Sequence, residues 1–309
     1  MNPSPRKDLE AALPMAAPLR ARSPAIRTTA LLLELSKARL VSLVVVTTAV
    51  GYLMAAPGGW SGADLAWTLA GTALAAAGSM ALNQRIEVEQ DSRMERTRLR
   101  PLPSGAIGLA WASLFGVSVA TAGIVLLAWR TNLLTSALGL AVIGIYTLIY
   151  TPMKRRTTAC TLVGAVCGAI PPMMGWSAAT GSIGFGAWIL AGILFLWQIP
   201  HFLALAWLYR DDYEKGGFRM LPIVDPAGDA TVLMVVLYSL ALVPVGLAAT
   251  LSGMAGWTYA LGSLLLGGAL LTLGASLARS KSLPAARRVF FGTLVYLPLL
   301  LGLMVADRA

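Results

Sequence analysis

The chain has 309 residues, of which 57% are hydrophobic and only 12% are charged, and its mean hydropathy is +0.72. Because a soluble domain carries about 25% charged residues, this composition excludes a soluble protein and predicts an integral membrane protein. The formal net charge of +10 does not indicate a nucleic-acid partner, since basic residues in a membrane chain mark cytoplasmic loops and anionic lipid surfaces.

The N-terminal region precedes the first apolar segment. Residues 1–27 are rich in Pro, Ala and Arg without periodicity, and they lack the apolar core and cleavage site of a secretory signal. We therefore predict that residues 1–27 form a disordered cytoplasmic tail and that residues 28–309 form a single transmembrane domain. An interfacial helix carrying Glu34, Lys37 and Arg39 is expected to lead into the first span.

Nine apolar segments follow, each near the length that a helix needs to cross a bilayer. The predicted fold class is therefore an all-α integral membrane bundle of about nine transmembrane helices. The predicted spans are residues 40–56, 65–82, 107–128, 133–151, 159–180, 185–208, 231–251, 257–278 and 289–306.

The charged residues predict the orientation of these spans. Of the 24 Lys and Arg residues, 22 lie in the N-terminal tail and in the loops after spans two, four, six and eight. The positive-inside rule places these segments in the cytoplasm, with the N-terminus inside and the C-terminus outside. Of the 14 Asp and Glu residues, nine lie in the loops after spans two and six. Acidic residues contribute little to orientation, so their concentration there predicts an active site at the cytoplasmic face.

The loop after the second span is the densest charge block in the chain. Asn83, Glu87 and Asp91 are spaced i, i+4, i+8 and therefore share one face of a helix. They offer only oxygen ligands with a carboxylate majority, which suits Mg²⁺, an ion that usually completes its shell with water and substrate phosphates. Arg96 and Arg100 follow, and their guanidinium groups suit phosphate oxygens. The alternative is a solvated helix end with mixed charges.

The loop after the sixth span carries a second acidic cluster, Asp211 and Asp212, with Lys215 close behind. Two facing acidic clusters can hold two Mg²⁺ ions, and basic residues can bind the anion that those ions bridge. This arrangement is expected for diphosphate chemistry. Lys154 and Arg155, in the loop after span four, add positive charge on the same face. They are equally consistent with a loop that only sets the topology.

Taken together, these motifs resemble the UbiA superfamily of intramembrane prenyltransferases and, more closely, its heme O synthase branch. The superfamily motif Asn-x-x-x-Asp-x-x-x-Asp is present here with Glu87 at the middle position. The resemblance extends over about residues 30–300. Two departures are the adjacent Asp211 and Asp212, where the superfamily has Asp-x-x-x-Asp, and Cys160, where many heme O synthases have Asn. Further matches, in chain order, are Met94-Glu95-Arg96-Thr97, Arg100-Pro101-Leu102-Pro103-Ser104-Gly105, Tyr150-Thr151 with Lys154-Arg155, Pro171-Pro172, and Trp197-x-x-Pro200-His201-Phe202 before Asp211-Asp212-Tyr213.

The resemblance implies an intramembrane enzyme that converts heme b, farnesyl diphosphate and water to heme O and diphosphate. The expected setting is the inner membrane, with membrane lipid around the helices. A heme-modifying enzyme or a terminal oxidase assembly is the expected downstream partner. The resemblance implies Mg²⁺ ligands at Asn83, Glu87, Asp91, Asp211 and Asp212, and diphosphate-binding residues at Arg96, Arg100, Lys154, Arg155 and Lys215.

The single histidine, His201, lies in the sixth span near Trp197 on an apolar stretch, and these two residues are the candidate heme-binding residues. Since burial of an ionisable residue in a membrane is costly, it is by default a functional candidate, and imidazole is a common heme ligand. A packing histidine, made tolerable by a carbonyl that Pro200 frees, is the alternative. Pro171 and Pro172 are expected to break the fifth span, and a simple structural kink is the alternative.

Two other functions remain open. A prenyltransferase with a phenolic or quinone-type acceptor would share the acidic motifs, and Pro200-His201-Phe202 and Asp211-Asp212-Tyr213 argue against it. A transporter of an anionic or metal-bound solute is less consistent with the sequence. Transport paths usually carry polar groups near the membrane midplane, whereas the acids here cluster at one face.

Overall fold

The computed structural model describes residues 24–56, 59 and 61–308. Within these residues, nine helices are long and apolar enough to cross a membrane, and each matches one predicted span, which confirms the prediction. The first 23 residues of the predicted tail lie outside the described residues, and a shorter helix, Pro24–Leu35, follows them. We number the nine long helices α1 to α9: Ala38–Ala55, Gly62–Ile86, Leu109–Arg130, Leu133–Met153, Cys160–Thr180, Phe185–Leu208, Asp229–Leu251, Trp257–Ser280 and Leu283–Ala306.

Helices α5 and α6 lie at the centre of the bundle. Of the most apolar stretch of each helix, 67% is buried in α6 and 56% in α5, against 22–39% in the other seven. The outer helices turn large apolar side chains away from the bundle: Leu133 is 78% exposed and Leu251 is 85% exposed. An exposed apolar surface of this extent is suited to lipid. The chain is therefore a multi-pass membrane protein with an all-α fold.

Close glycine contacts fix the positions of α1 and α2. A Cβ atom on Gly51 of α1 would lie 2.0 Å from the Pro172 carbonyl oxygen of α5, and one on Gly78 of α2 would lie 2.5 Å from the Gly116 carbonyl oxygen of α3. Small residues at such contacts let helix backbones approach closely in a membrane. A larger side chain at Gly78 would displace α2, whose end carries the first acidic motif.

The prediction that Pro171 and Pro172 break the fifth span is wrong. Helix α5 runs without interruption from Cys160 to Thr180 with both prolines inside it. Neighbouring helices in a membrane can satisfy the backbone groups that a proline frees, and α1 packs closely here. A Cβ atom on Gly175 would lie only 1.9 Å from the Thr48 carbonyl oxygen of α1.

The loops after α2 and α6 meet at the same end of the bundle. The Asp212 carboxylate accepts hydrogen bonds from the backbone N–H groups of Glu95 and Arg96, at 3.1 and 3.2 Å. Lys215 Nζ lies 3.0 Å from Glu95 Oε1. The fold therefore brings the two acidic segments to one mouth of the bundle, although they are far apart in the sequence.

Candidate active site

The first acidic motif lies at the end of α2, where the helix is followed by the short helix Val88–Arg93. Glu87 stands between the two helices, yet its N–H still donates to the Asn83 carbonyl at 3.0 Å, and its carbonyl accepts from the Asp91 N–H at 2.8 Å. The helical spacing is thus kept across the junction. The three side chains share one face and are 0%, 5% and 1% exposed in chain order.

Each side chain of this motif is contacted by one cation from another segment. The three cations come from the linker before α1, the loop after α2 and the loop after α4. The nitrogen-to-oxygen distances are 2.6 Å for Lys37 with Asn83, 2.8 Å for Arg100 with Asp91 and 2.8 Å for Lys154 with Glu87. Positive charge therefore surrounds the motif in a site that excludes most solvent.

These residues fit a Mg²⁺ ion. Asn83, Glu87 and Asp91 present only oxygen atoms as ligands, and two of the three groups are carboxylates. Oε1 of Glu87 is buried and lies 2.8 Å from Lys154 Nζ in an ion pair. Oxygen donors already held together in a buried site suit a hard cation such as Mg²⁺.

The backbone of Lys37 directs its ammonium group to Asn83. The residue has φ 49° and ψ 53°, a left-handed conformation that costs a non-glycine residue about 1–2 kcal/mol. It lies between the helix Pro24–Leu35 and α1. Gln84 Nε2 anchors that helix by donating to two of its last carbonyl oxygens, both at 2.9 Å. The strained turn is therefore held by α2, the same helix that carries Asn83.

The two lysines of the site differ in their electrostatics. Burial, together with the nearby positive charge of Arg100, lowers the pKa of Lys37 to about 7. Burial alone would lower the pKa of Lys154 as well, but the adjacent Glu87 carboxylate raises it and the net shift is upward. A carboxylate partner stabilises an ammonium charge far more than an amide partner does. Lys154 therefore keeps its positive charge to a higher pH than Lys37 does.

A π-helical turn in α4 sets the orientation of Asn83. This turn comprises Ile145–Tyr150 and ends just before Thr151. Thr151 Oγ1 donates to the Tyr146 carbonyl at 2.7 Å and accepts from Asn83 Nδ2 at 2.9 Å. Because its nitrogen is held in this way, Asn83 turns its oxygen toward Lys37. Turns of this kind occur frequently at functional sites.

The second acidic cluster has a different environment. Asp211 is exposed, and Asp212 is partly buried with its carboxylate hydrogen-bonded to the loop amides described above. In the part of the chain that the structure describes, no three His, Cys, Asp or Glu side chains come together as a metal-ligand set. The two clusters therefore do not merge into one carboxylate centre, and metal ligation by Asp211 and Asp212 stays a prediction.

The other three predicted diphosphate-binding residues lie outside the buried motif. The Arg96 guanidinium lies 5.0 Å from the centroid of the Tyr209 ring. Lys215 is 48% exposed and pairs with Glu95, and Arg155 is exposed. These three cations are therefore accessible at the mouth of the bundle, whereas Arg100 and Lys154 lie deeper.

His201 and Trp197 lie in α6 against α9. The imidazole is nearly parallel to the rings of Trp197 and Phe290, each at a centroid distance of 5.0 Å. His201 Nδ1 is 2.9 Å from Thr293 Oγ1, and Trp197 Nε1 donates to the Thr293 backbone carbonyl at 2.7 Å. The hydrogen-bond partner of His201 is thus a hydroxyl group of α9 rather than a carbonyl freed by Pro200.

A small cavity of about 70 Å³ lies beside residues that contact Lys154 and His201. Tyr150 lines one side, and its ring centroid is 4.6 Å from Lys154 Nζ. Phe202 lines another side, and its ring contacts the imidazole edge-on. Cys160 also lines this space. A cavity of this size holds a few water molecules, so a large acceptor requires side chains here to move.

Some acids of the two loops have structural roles. Asp225 accepts hydrogen bonds from the N–H groups of Gly228 and Thr231 before α7, at 3.1 and 2.8 Å. Burial would raise its pKa, but these hydrogen bonds lower it. Glu89 pairs with Arg93 on the exposed side of its helix. The concentration of acids at this end of the bundle thus includes helix caps and surface ion pairs as well as candidate ligands.

Comparison with known proteins identifies the family. Residues 44–296 match the UbiA prenyltransferase family. The chain belongs to the UbiA prenyltransferase family. Within it, a protoheme IX farnesyltransferase of Solibacter usitatus is 44% identical over 285 residues, which cover 89% of this chain and 98% of that protein.

Solved structures share the fold of this prenyltransferase. A digeranylgeranylglyceryl phosphate synthase matches with a TM-score of 0.75 at 17% identity, over 90% of this chain and 98% of that one. A UbiA homolog from Archaeoglobus fulgidus, bound to DMAPP and Mg²⁺, matches with a TM-score of 0.61 at 12% identity, over 88% of this chain and 98% of that one. At these identities the matches show the fold alone, and they confirm the expected UbiA-type helical bundle.

Three residues of the prenyltransferase site were not predicted: Lys37, Thr151 and Thr293. Lys37 precedes the first span, where the positive-inside rule explains a basic residue without any further role. The two threonines lie in apolar spans, where a hydroxyl can always bond back to its own helix. Their contacts with other helices depend on packing. The Tyr150-Thr151 match was the one signal for Thr151, and Thr293 lies in none of the motifs.

Proposed function

We propose that this prenyltransferase joins the farnesyl group of farnesyl diphosphate to heme b and adds water, giving heme O and diphosphate. The observation that carries the proposal is the buried motif of Asn83, Glu87 and Asp91 with one cation against each side chain. Oxygen ligands and cations in one dry site suit a diphosphate leaving group with Mg²⁺. The relative from Solibacter usitatus is named a protoheme IX farnesyltransferase, which supports heme b as the acceptor here.

Asn83, Glu87 and Asp91 would hold one Mg²⁺ ion, and Asp211 with Asp212 would hold a second ion across the mouth of the bundle. When bound, Mg²⁺ supplies neutralisation of the charge on the departing diphosphate. The Archaeoglobus fulgidus homolog was solved with both Mg²⁺ and DMAPP, which supports this pairing of metal and prenyl diphosphate.

The cations of the site bind the diphosphate in this proposal. Lys37, Arg100 and Lys154 contact the three motif side chains, so their charges are already gathered where a phosphate would enter. Arg96 and Lys215 lie at the mouth and can bind the outer phosphate oxygens. Each charge-assisted hydrogen bond contributes about 1.5–3 kcal/mol, so the set together can hold and orient the diphosphate.

Prenyl transfer follows from breaking the bond between the first farnesyl carbon and the diphosphate oxygen. This step leaves an allylic farnesyl cation, which the π electrons of a heme vinyl group attack. The positive charge then lies on the carbon attached to the macrocycle, where conjugation stabilises it. Water adds at that carbon as a hydroxyl group, and its other proton passes to the solvent or to the diphosphate. One heme b, one farnesyl diphosphate and one water thus give heme O and diphosphate.

The protein must keep water away from the farnesyl cation until the vinyl group attacks. The three motif residues are at most 5% exposed. The rings of Tyr150 and Phe218 lie 4.6 and 5.7 Å from Lys154 Nζ and cover this side of the site. Apolar and aromatic groups around a reactive cation exclude competing hydrolysis. Trp197 and His201 are proposed to contact the heme deeper in the bundle.

We place the enzyme in the inner membrane with its N-terminus in the cytoplasm and its C-terminus outside. The support is that 22 of the 24 Lys and Arg residues lie in the N-terminal tail and in the loops after spans two, four, six and eight. The active site then faces the cytoplasm, where diphosphate can leave into water. Heme O would remain in the membrane and pass to a heme-modifying enzyme or a terminal oxidase assembly.

The test of this function supplies two competing acceptors. Membranes containing the chain are incubated with isotopically labelled farnesyl diphosphate, Mg²⁺ and either heme b or a phenolic quinone precursor, and the products are identified by mass spectrometry. We expect labelled heme with one farnesyl group and one added water, and no labelled phenol. A labelled phenolic product without labelled heme would overturn the assignment of the acceptor. Membranes containing the Asp91→Asn variant provide the matched background.

A further inference from the structure

Thr293 of α9 joins the two residues of α6 that we assign to the heme. Its side chain is completely buried, at 0% exposed. Its backbone carbonyl accepts a hydrogen bond from Trp197 Nε1 at 2.7 Å, and its Oγ1 lies 2.9 Å from His201 Nδ1. Neither the sequence motifs nor the reaction described above gives Thr293 a role.

The hydroxyl proton of Thr293 is already in use. Oγ1 lies 2.6 Å from the backbone carbonyl oxygen of Phe290, one helical turn earlier. Two oxygen atoms approach to this distance when a proton lies between them, since their lone pairs otherwise repel each other. A hydroxyl group has one proton to donate. The Thr293 hydroxyl therefore donates to Phe290 and accepts from His201.

It follows that Nδ1 of His201 carries a proton. In the neutral ring the lone pair then lies on Nε2, at the opposite edge of the imidazole. Within the described part of the chain, the hydrogen bonds of His201 are confined to Nδ1. The near-parallel rings of Trp197 and Phe290 restrain the imidazole plane. The ring is thus fixed in one tautomer and one orientation, and none of the described residues forms a hydrogen bond with its unprotonated nitrogen.

We propose that Thr293 is a positioning residue for the acceptor: its hydroxyl group fixes His201 in the tautomer whose Nε2 can bind the iron of heme b. The proposal rests on the proposed function, because it requires heme b as the acceptor. Metal-bound histidines almost always donate their other ring N–H to a nearby acceptor, and loss of such a partner costs about 10–100-fold in metal affinity or activity.

The test is a titration of the purified, detergent-solubilised protein with heme b, read from the position of the Soret band and from the dissociation constant. Thr293→Val keeps the shape of the side chain and removes the hydroxyl, whereas Thr293→Ser keeps the hydroxyl. We expect Thr293→Val to bind heme b about 10–100-fold more weakly and to shift the Soret band toward that of His201→Ala. Thr293→Ser should keep both values close to wild type.

Mg²⁺-dependent binding of farnesyl diphosphate serves as the folding control, and it should be unchanged in all three variants. If Thr293→Val does not fold, Thr293→Ala against Thr293→Ser gives the same comparison. A wild-type spectrum and affinity in the hydroxyl-free variant, or equal losses in Thr293→Ser and Thr293→Val, would overturn the role of Thr293. An unchanged spectrum in His201→Ala would instead overturn the assignment of His201 to heme, and the role of Thr293 with it. A failure of the reaction itself is detected separately, in the product assay with two acceptors.

Discussion

The two acidic clusters of this enzyme lie at the same end of the bundle and differ in their physical environment. Asn83, Glu87 and Asp91 lie on a nearly continuous run of helix, are at most 5% exposed, and each contacts a cation. Asp211 is exposed, and Asp212 accepts hydrogen bonds from the backbone of the opposite loop. The first cluster is buried among cations, and the second joins two loops.

This difference shows that burial determines which carboxylates are held in a fixed geometry by their partners. A carboxylate buried against a cation is costly to leave unpaired, so Glu87 and Asp91 keep their partners and their geometry. An exposed carboxylate is solvated by water, and its ion pairs contribute little. We therefore expect substitutions in the first cluster to lower turnover most, and those in the second cluster to have a smaller effect through the loop contact and the more exposed second ion.

The largest effect is expected from removal of one charge in the buried cluster. Asp91→Asn keeps the shape of the side chain and an acceptor for Arg100, so the fold should persist. Loss of several kcal/mol of transition-state stabilisation should lower turnover by about a thousandfold. Glu89→Gln is the matched control, since Glu89 is exposed and pairs with its helix neighbour Arg93. The turnover of both variants is measured as the initial rate of labelled heme formation at saturating Mg²⁺. Near-normal turnover of Asp91→Asn would contradict the functional difference between the two clusters.

A smaller loss is expected when a cation of the buried cluster is neutralised. Lys37→Met keeps the length of the side chain and removes the ammonium group that contacts Asn83. Loss of a charge-assisted contact of about 1.5–3 kcal/mol should weaken Mg²⁺-dependent binding of farnesyl diphosphate by about 10–100-fold. Arg39→Met, two residues along and exposed, should bind as wild type does. Equal affinities in the two variants would show that Lys37 contributes only to the orientation of the chain in the membrane.

The connection between the loops can be weakened through Asp212. Asp212→Ala removes the acceptor of the Glu95 and Arg96 N–H groups, and the looser loop should raise the KM for farnesyl diphosphate by about tenfold, the effect of roughly 1.4 kcal/mol. Hydrogen exchange at those two amides should also become faster. Glu214→Ala, in the same short helix and exposed, should change neither quantity. If Asp212→Ala abolishes turnover without a change in hydrogen exchange, its contribution to the second metal ion outweighs its contact with the loop.

The smallest effect is expected at the surface ion pair of the mouth. Lys215 and Glu95 have side chains that are 48% and 60% exposed, and exposed pairs contribute about 0–1 kcal/mol. Lys215→Ala should therefore change diphosphate affinity by less than about fivefold. A loss as large as that of Lys37→Met would show that Lys215 binds the diphosphate as strongly as the buried cations do.

The sequence predicted the nine spans and the helical face of the first motif, because hydropathy and the i, i+4, i+8 spacing are local properties. It did not predict that the two clusters differ in burial, since that depends on how α2 packs against α3 and α4. It also missed Lys37, whose role depends on a left-handed backbone turn. The prediction of a break in the fifth span was wrong: α1 packs against Pro172 and Gly175, and the helix continues through its prolines.

The measurement that tests the central claim most directly is binding of farnesyl diphosphate to Glu87→Gln and Glu89→Gln, with Mg²⁺ and with a chelator. These two substitutions are chemically identical and two residues apart, and they differ in burial, with Glu87 at 5% exposed and the Glu89 side chain at 64%. We expect Mg²⁺ to strengthen binding in wild type and in Glu89→Gln and to have little effect in Glu87→Gln. An undiminished effect of Mg²⁺ in Glu87→Gln would contradict the assignment of the buried motif as the metal site.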